Sequence, residues 1–170
     1  MTSRDDGSTG ARAGMIRRAG VGDFDRLREI EVAAGAAFRD VGMPHIADDA
    51  PPSDADLLAF VDAGAAWVSE VDDVVAAYLV AERVDGRVHV AQVSVDPAFR
   101  GLGLGAALID HVDDGGGVTL TTFADVPWNA PYYRRIGFRV VEPTGGLREV
   151  VRREAEAGLD PATRVCMVRG

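Results

Sequence analysis

Cysteine is nearly missing from this chain of 170 residues: Cys166 alone rules out an internal disulfide framework and a site built from several thiolates. Its setting, T-R-V-C-M-V-R, reads as a strand, so Cys166 is expected to be a small apolar filler. Positive charge is also in deficit, 18 Lys+Arg against 27 Asp+Glu for a net charge of −9. No basic face for nucleic acid is expected from that balance, and an acidic excess suits a cationic or amine ligand. Long apolar runs are lacking too, each broken by charges or glycines well short of a bilayer's width, so no membrane partner is expected. Met1 to Gly14 is polar and glycine-rich without the apolar core of a signal peptide, and is expected to be a disordered leader on a cytoplasmic protein.

What remains, 47% of it hydrophobic, is enough for one domain over residues 15–170. Met15 to Ala19 predicts a first strand. Asp23 stands as a helix cap before Phe24, Leu27, Ile30, Ala34 and Phe38, whose spacing predicts an amphipathic helix of about four turns. The proline-bearing stretch V-G-M-P-H-I-A-D-D-A-P-P predicts a loop. Ser53 and Asp56 then open a second, shorter helix. Ala65–Val71, Val74–Val84 and Arg87–Val95 are β-branched runs separated by Asp72-Asp73 and Asp85-Gly86, which predicts an antiparallel meander. A helix begins near Leu104, a strand covers Val118–Phe123, and a short helix covers Asn129–Ile136. A strand after Gly137-Phe138, a helix through Leu147, Val150, Val151 and Ala155, and a last strand Thr163–Arg169 complete the order.

The most informative segment is Val93 to Gly105, V-S-V-D-P-A-F-R-G-L-G-L-G. A strand stopped by Pro97 leads to Arg100 and three alternate glycines, and an apolar helix starts inside the glycine run. Bare amides and a helix N-terminus then converge on one place, which attracts phosphate. Three rival motifs do not fit. Ala106-Ala107 stands where a P-loop needs Lys-Ser/Thr; the glycine spacing and the preceding meander are wrong for a dinucleotide fingerprint; the chain is too short for a kinase loop.

Together with W-N-A-P-Y-Y-R-R-I-G-F about 30 residues downstream, and with the order of elements from Met15 to Arg169, this pattern resembles the GCN5-related N-acetyltransferase (GNAT) family. The resemblance implies an α/β (α+β) fold: a mixed, mostly antiparallel sheet of about six to seven strands flanked by about four to five helices. It implies acetyl-CoA as co-substrate and no metal. The pyrophosphate would lie on the amides of Arg100, Gly101, Leu102, Gly103, Leu104 and Gly105, and the pantetheine arm along Val93, Ser94 and Val95. Tyr133, four residues before Gly137, would be the general acid for the departing thiolate. Tyr132 beside it reads as structural, and Asn129 as a helix cap that also touches the coenzyme.

A base is harder to place. Many family members carry a glutamate on the fourth strand where this chain has Gln92, and a carboxamide cannot take the proton. His89 and Glu82 are the substitutes at hand, His89 three residues before Gln92 and so expected on the opposite face of the strand. His45, Asp48 and Asp49 lie in a loop that borders the acceptor site in such folds. Phe24 and Phe38 read as core, and Trp67 and Trp128 as isolated. The activity implied is transfer of an acetyl group to a primary amine, of a small molecule or of a peptide N-terminus, by direct attack in a ternary complex. A coenzyme-A-binding sensor without transferase activity is the alternative that Gln92 keeps open. The chain is compatible with a homodimer as well as a monomer.

Overall fold

A computed structural model describes residues 14–170; the leader expected at the N-terminus lies, apart from Gly14, outside the described residues. Seven strands form one sheet in the order β1-β2-β3-β4-β5-β7-β6. They are β1 (Met15–Arg18), β2 (Ala66–Val71), β3 (Val74–Val84), β4 (Arg87–Val95), β5 (Val118–Phe123), β6 (Arg139–Val141) and β7 (Arg164–Arg169). Every neighbouring pair is antiparallel except β4 and β5, which run parallel. The meander expected from the two-residue turns is present, and its turn residues show why: Asp72, Asp73 and Asp85 have φ of 50°, 64° and 51°, and Gly86 has 79°. Two left-handed residues in succession match the twist of paired strands.

The helices are α1 (Phe24–Gly35), α2 (Pro44–Ala47), α3 (Asp54–Asp62), α4 (Leu104–Val112), α5 (Ala130–Arg135) and α6 (Gly146–Glu156). On one face of the sheet Phe24, Leu27 and Ile30 of α1 and Leu57 of α3 pack on Val68, Tyr78 and Val80, and Leu147 and Val150 of α6 pack on Val84 and Cys166. On the other, Leu104, Leu108, Ile109 and Val112 of α4 and Tyr133 of α5 close over Leu79, Ala81, Val88 and Val90. No helix among the described residues is long and apolar enough to cross a membrane.

Two departures from the sequence-based expectation matter. The first helix does not run to Phe38; after Gly35 the chain tightens into a 3-10 segment, Ala36–Val41, that ends at left-handed Gly42, φ 75°. Turning about 120° per residue instead of about 100° carries Phe38 off the core stripe. It meets Phe123 and Trp128 edge-on, with ring centroids 5.6 and 5.4 Å away. The stretch expected to be loop also contains α2, one turn of helix started by Pro44 at its first position, so the α-helices among the described residues number six.

The aspartate pair in the β2–β3 turn sets a test. Replacing Asp73, at φ 64°, by glycine removes a Cβ from a left-handed position and should stabilise the fold by about 0.5–1 kcal/mol. Urea unfolding measures it; an unchanged or lower midpoint would show that the turn carries no such strain.

Candidate functional site

β4 and β5 are bonded only along Val88–Val90 and Val118–Leu120. Beyond Val90 the strands part, while β4 stays paired with β3 as far as Val95. A bulge helps to separate them: Val80 faces Gln92 but Ala81 faces Val90, which leaves Ala91 as an extra residue in β4. In the opening lies a cavity of about 260 Å³, bounded by Glu31 of α1, Gln92 and Val93 of β4, Thr121–Phe123 of β5, and Tyr133. Because Gln92 faces the α1 side and Val93 and Tyr133 the α4 side, the cavity reaches from one face of the sheet to the other. A second hollow, about 640 Å³, lies elsewhere, around Trp67 and His111.

The glycine turn adjoins the opening. Asp96 ends β4 and organises the turn: its carboxylate accepts the Ala98 amide at 2.9 Å and the Arg26 guanidinium at 2.7 Å. Gly101 and Gly103 are left-handed, with φ of 82° and 71°, and Gly103 caps α4. A Cβ at either would touch nothing within 4 Å, so the backbone angle demands glycine and the space outside stays free for a ligand. A Cβ at Gly105 would lie 3.6 Å from a Val95 methyl, so the first turn of α4 lies against the end of β4. The Tyr132 hydroxyl lies beside that turn, 4.0 Å from where a Cβ at Gly105 would stand, which gives Tyr132 a structural role at the helix start. Arg100 and Leu102 are exposed.

Tyr133 is 9% exposed, lines the cavity, and packs edge-on to Tyr132 and Phe138 at 5.4 and 5.7 Å. Burial, with Tyr132 beside it, pushes its phenol above the usual range, so at neutral pH it remains an O–H donor. Asn129 precedes α5, but its side chain makes no capping bond; its Oδ1 is buried without a partner among the described residues, and the residue borders the cavity. The expected cap is therefore corrected to a free acceptor. On the opposite wall Glu31 Oε2 accepts the hydroxyls of Tyr78 and Ser94, each at 2.7 Å, and Gln92 donates its amide to Glu31 Oε1 at 3.2 Å. Among the described residues no set of three or more His, Cys, Asp or Glu side chains is placed to hold a metal ion.

A family model described as an acetyltransferase (GNAT) domain matches residues 62–140, the stretch holding the meander, the glycine turn and Tyr133. Over those residues the chain matches the GNAT family. Solved structures share the fold at low identity. Ard1 from Thermoplasma volcanium is 20% identical, with 92% of this chain and 97% of that one covered at a TM-score of 0.64. The ribosomal-protein-S18-alanine N-acetyltransferase from Escherichia coli is 17% identical over 92% of each chain, TM-score 0.61. A GNAT-like decarboxylase, GphF, in complex with isobutyryl-CoA is 18% identical over 92% and 98%, TM-score 0.65.

The bases expected from the sequence lie away from the opening. His89 is 2% exposed, and its Nδ1 is 2.9 Å from Thr119 Oγ1. Because of the Ala91 bulge it does not oppose Gln92: His89 faces Glu82 and Gln92 faces Val80, two positions apart on β3, so both point to the α1 face. Glu82 is bound to Arg153 at 2.7 Å. Neither lines the cavity. Of the acceptor-side residues, Asp49 lines it, Asp48 is paired with Arg39, and His45 is exposed on α2. Glu31 was not among the expected site residues. Its signal in the sequence is a carboxylate four positions after Leu27 and seven after Phe24, on the apolar side of α1.

Burial lowers the His89 pKa from its ordinary 6.5, against the opposing pull of Glu82 and Glu154. The unfolded chain therefore binds this proton first as pH falls. The stabilisation from the neutral ring is complete above about pH 6.5 and is lost below it. His89→Gln should flatten the decline in melting temperature between pH 7.5 and 5.5; the same decline in variant and parent would remove His89 as its source.

Proposed function

We propose that this GNAT protein is an acetyl-CoA-dependent N-acetyltransferase that acts on the primary amine of a small molecule by direct attack in a ternary complex. The observation that carries this reading is the position of the opening between β4 and β5. The glycine turn and the start of α4 stand at its mouth on one face, and a cavity with carboxylates stands on the other. An acyl donor with a phosphate-bearing tail and an extended amide arm fits that geometry. The tail meets the amides of residues 101–105 and the dipole of α4. The arm takes the place beside β4 that β5 leaves, bonding to backbone at Val93–Val95 as an added strand does. The buried Asn129 Oδ1 offers an acceptor to an amide N–H of the arm.

The donor's thioester then lies in the gap, between Tyr133 and the α1 wall. Backbone amides of β4 polarise its carbonyl, and holding amine and thioester together supplies the proximity that direct transfer needs. The Tyr133 phenol, its pKa raised by burial, stays protonated and presents an O–H to the developing thiolate, while the same shift disfavours a free phenolate. Its part is to pass a proton to sulfur as the C–S bond breaks.

Two features favour a small amine over a peptide. The cavity is about 260 Å³, and Ile46 and Ala47 of α2 and Leu159 after α6 lie around it, which suits an acceptor of modest size. It also carries Glu31, Asp49 and Glu154 against one cation, Arg164, which pairs with Glu154 at 3.3 Å. The S18-alanine N-acetyltransferase among the structural neighbours makes a peptide N-terminus the second acceptor class to assay.

A thiol-release assay with acetyl-CoA and panels of small amines and peptides tests the reading. Turnover with small amines is expected, and tight acetyl-CoA binding without turnover on any acceptor would identify a coenzyme-binding sensor instead. Tyr133→Phe should lower kcat by about 10²-fold with the KM for acetyl-CoA within twofold; an unchanged kcat would remove Tyr133 from the chemistry.

A further inference from the structure

We propose that Glu31 binds the ammonium group of the acceptor and takes its proton; this rests on the transferase reading above and deepens it. α1 buries Phe24, Leu27 and Ile30 against the sheet, and Glu31 projects from the same side of the helix. A carboxylate against the core is unfavourable unless donors satisfy it. Here β3 and β4 supply three: the hydroxyls of Tyr78 and Ser94 and the amide of Gln92. The protein thus spends three donors on a carboxylate at the wall of the cavity where an apolar side chain would pack without help.

The distribution of those donors leaves room for a ligand. Tyr78 and Ser94 both bond Oε2 at 2.7 Å, whereas Oε1 has only the longer 3.2 Å contact from Gln92. A carboxylate has about four lone-pair sites, so Oε1 retains capacity toward the cavity that Glu31 lines. These three partners are uncharged, which leaves the negative charge to a cationic ligand. Gln92 acts as a positioning residue. Its NH2 group also donates to Ser94 Oγ at 2.9 Å, and since a carboxylate only accepts, the carboxamide must present nitrogen to it. The other charged groups at the cavity are Asp49, Glu154 and Arg164, and the last two pair with each other.

The step balances without a further reactant. One N–H proton of the ammonium passes to the Glu31 carboxylate, giving a free amine and a neutral acid. The nitrogen lone pair forms the C–N bond to the acetyl carbonyl carbon, and the C–S bond breaks with its electron pair going to sulfur. The second nitrogen proton reaches sulfur by way of Tyr133, leaving an amide and a thiol, and Glu31 releases its proton to water.

The experiment compares Glu31→Gln with the parent chain on two acceptors, an alkylamine that is protonated at pH 7 and an aniline or hydroxylamine that is neutral there. The chain has no lysine, so no lysine side chain of its own competes as acceptor. The expected result is a fall in kcat/KM of about 10²-fold or more with the alkylamine, a fall of less than about fivefold with the neutral acceptor, and an unchanged KM for acetyl-CoA. Equal losses on both acceptors, or none on either, would overturn the role of Glu31 and leave the transferase reading intact. A parent chain without turnover on any amine would overturn both. If Glu31→Gln does not fold, Glu31→Asp, which keeps the charge on a shorter arm, should lose rate on both acceptors yet retain the parent's preference for the alkylamine; loss of that preference is not expected of a carboxylate that still takes the proton.

Discussion

β4 and β5 share a parallel ladder over only three register pairs, Val88–Val90 with Val118–Leu120, and then diverge. Backbone groups that cannot reach another strand must find partners elsewhere, so the edge of β4 beyond Val90 is a place built to be completed. The rest of the chain holds that gap open. Ala91 bulges β4 away, β3 supports it to Val95 on its far side, and β7 pairs with β5 along its whole length, from Val118 to Phe123. Core packing on both faces then fixes the angle between the two halves: α1 and α3 on one side, α4 and α5 on the other.

Function follows from what borders the gap. The glycine turn is a direct continuation of β4, so the amides at the start of α4 are delivered next to the unpaired strand edge by chain connectivity alone. Tyr133 comes from a separate helix and the Glu31 cluster from the opposite face, and the gap is where they approach one another through the sheet. In the proposed reaction, a carboxylate on one wall and a protonated phenol on the other, across a passage about 260 Å³ in volume, would be the two ends of a proton path for amide formation. On that proposal the division is spatial, with donor-side groups on the α4 face and acceptor-side groups on the α1 face.

Much of this is legible in the sequence because it is local. Asp72-Asp73 and Asp85-Gly86 mark hairpins through backbone angles that few residues tolerate, and the glycine run with Pro97 before it marks a strand-to-helix turn. Tyr133 is named by the resemblance, through its place four residues before Gly137. What is not legible depends on packing at long range or on one residue's excess. An alanine bulge leaves no mark in a β-rich run, so alternation alone puts His89 on the wrong face. Phe38 keeps a helical spacing from Phe24 although the helix changes type before reaching it. Glu31 meets Gln92 and Ser94 across 61 and 63 positions of chain, a contact that only the docking of α1 on the sheet creates.

The central claim is that the parted edge of β4 and the glycine turn together seat an acyl-CoA. Amide hydrogen exchange with and without coenzyme A tests it most directly. Slower exchange confined to residues 93–95 and 101–106 is the predicted result; protection around Trp67 and His111, or no change at the β4 edge, would contradict it.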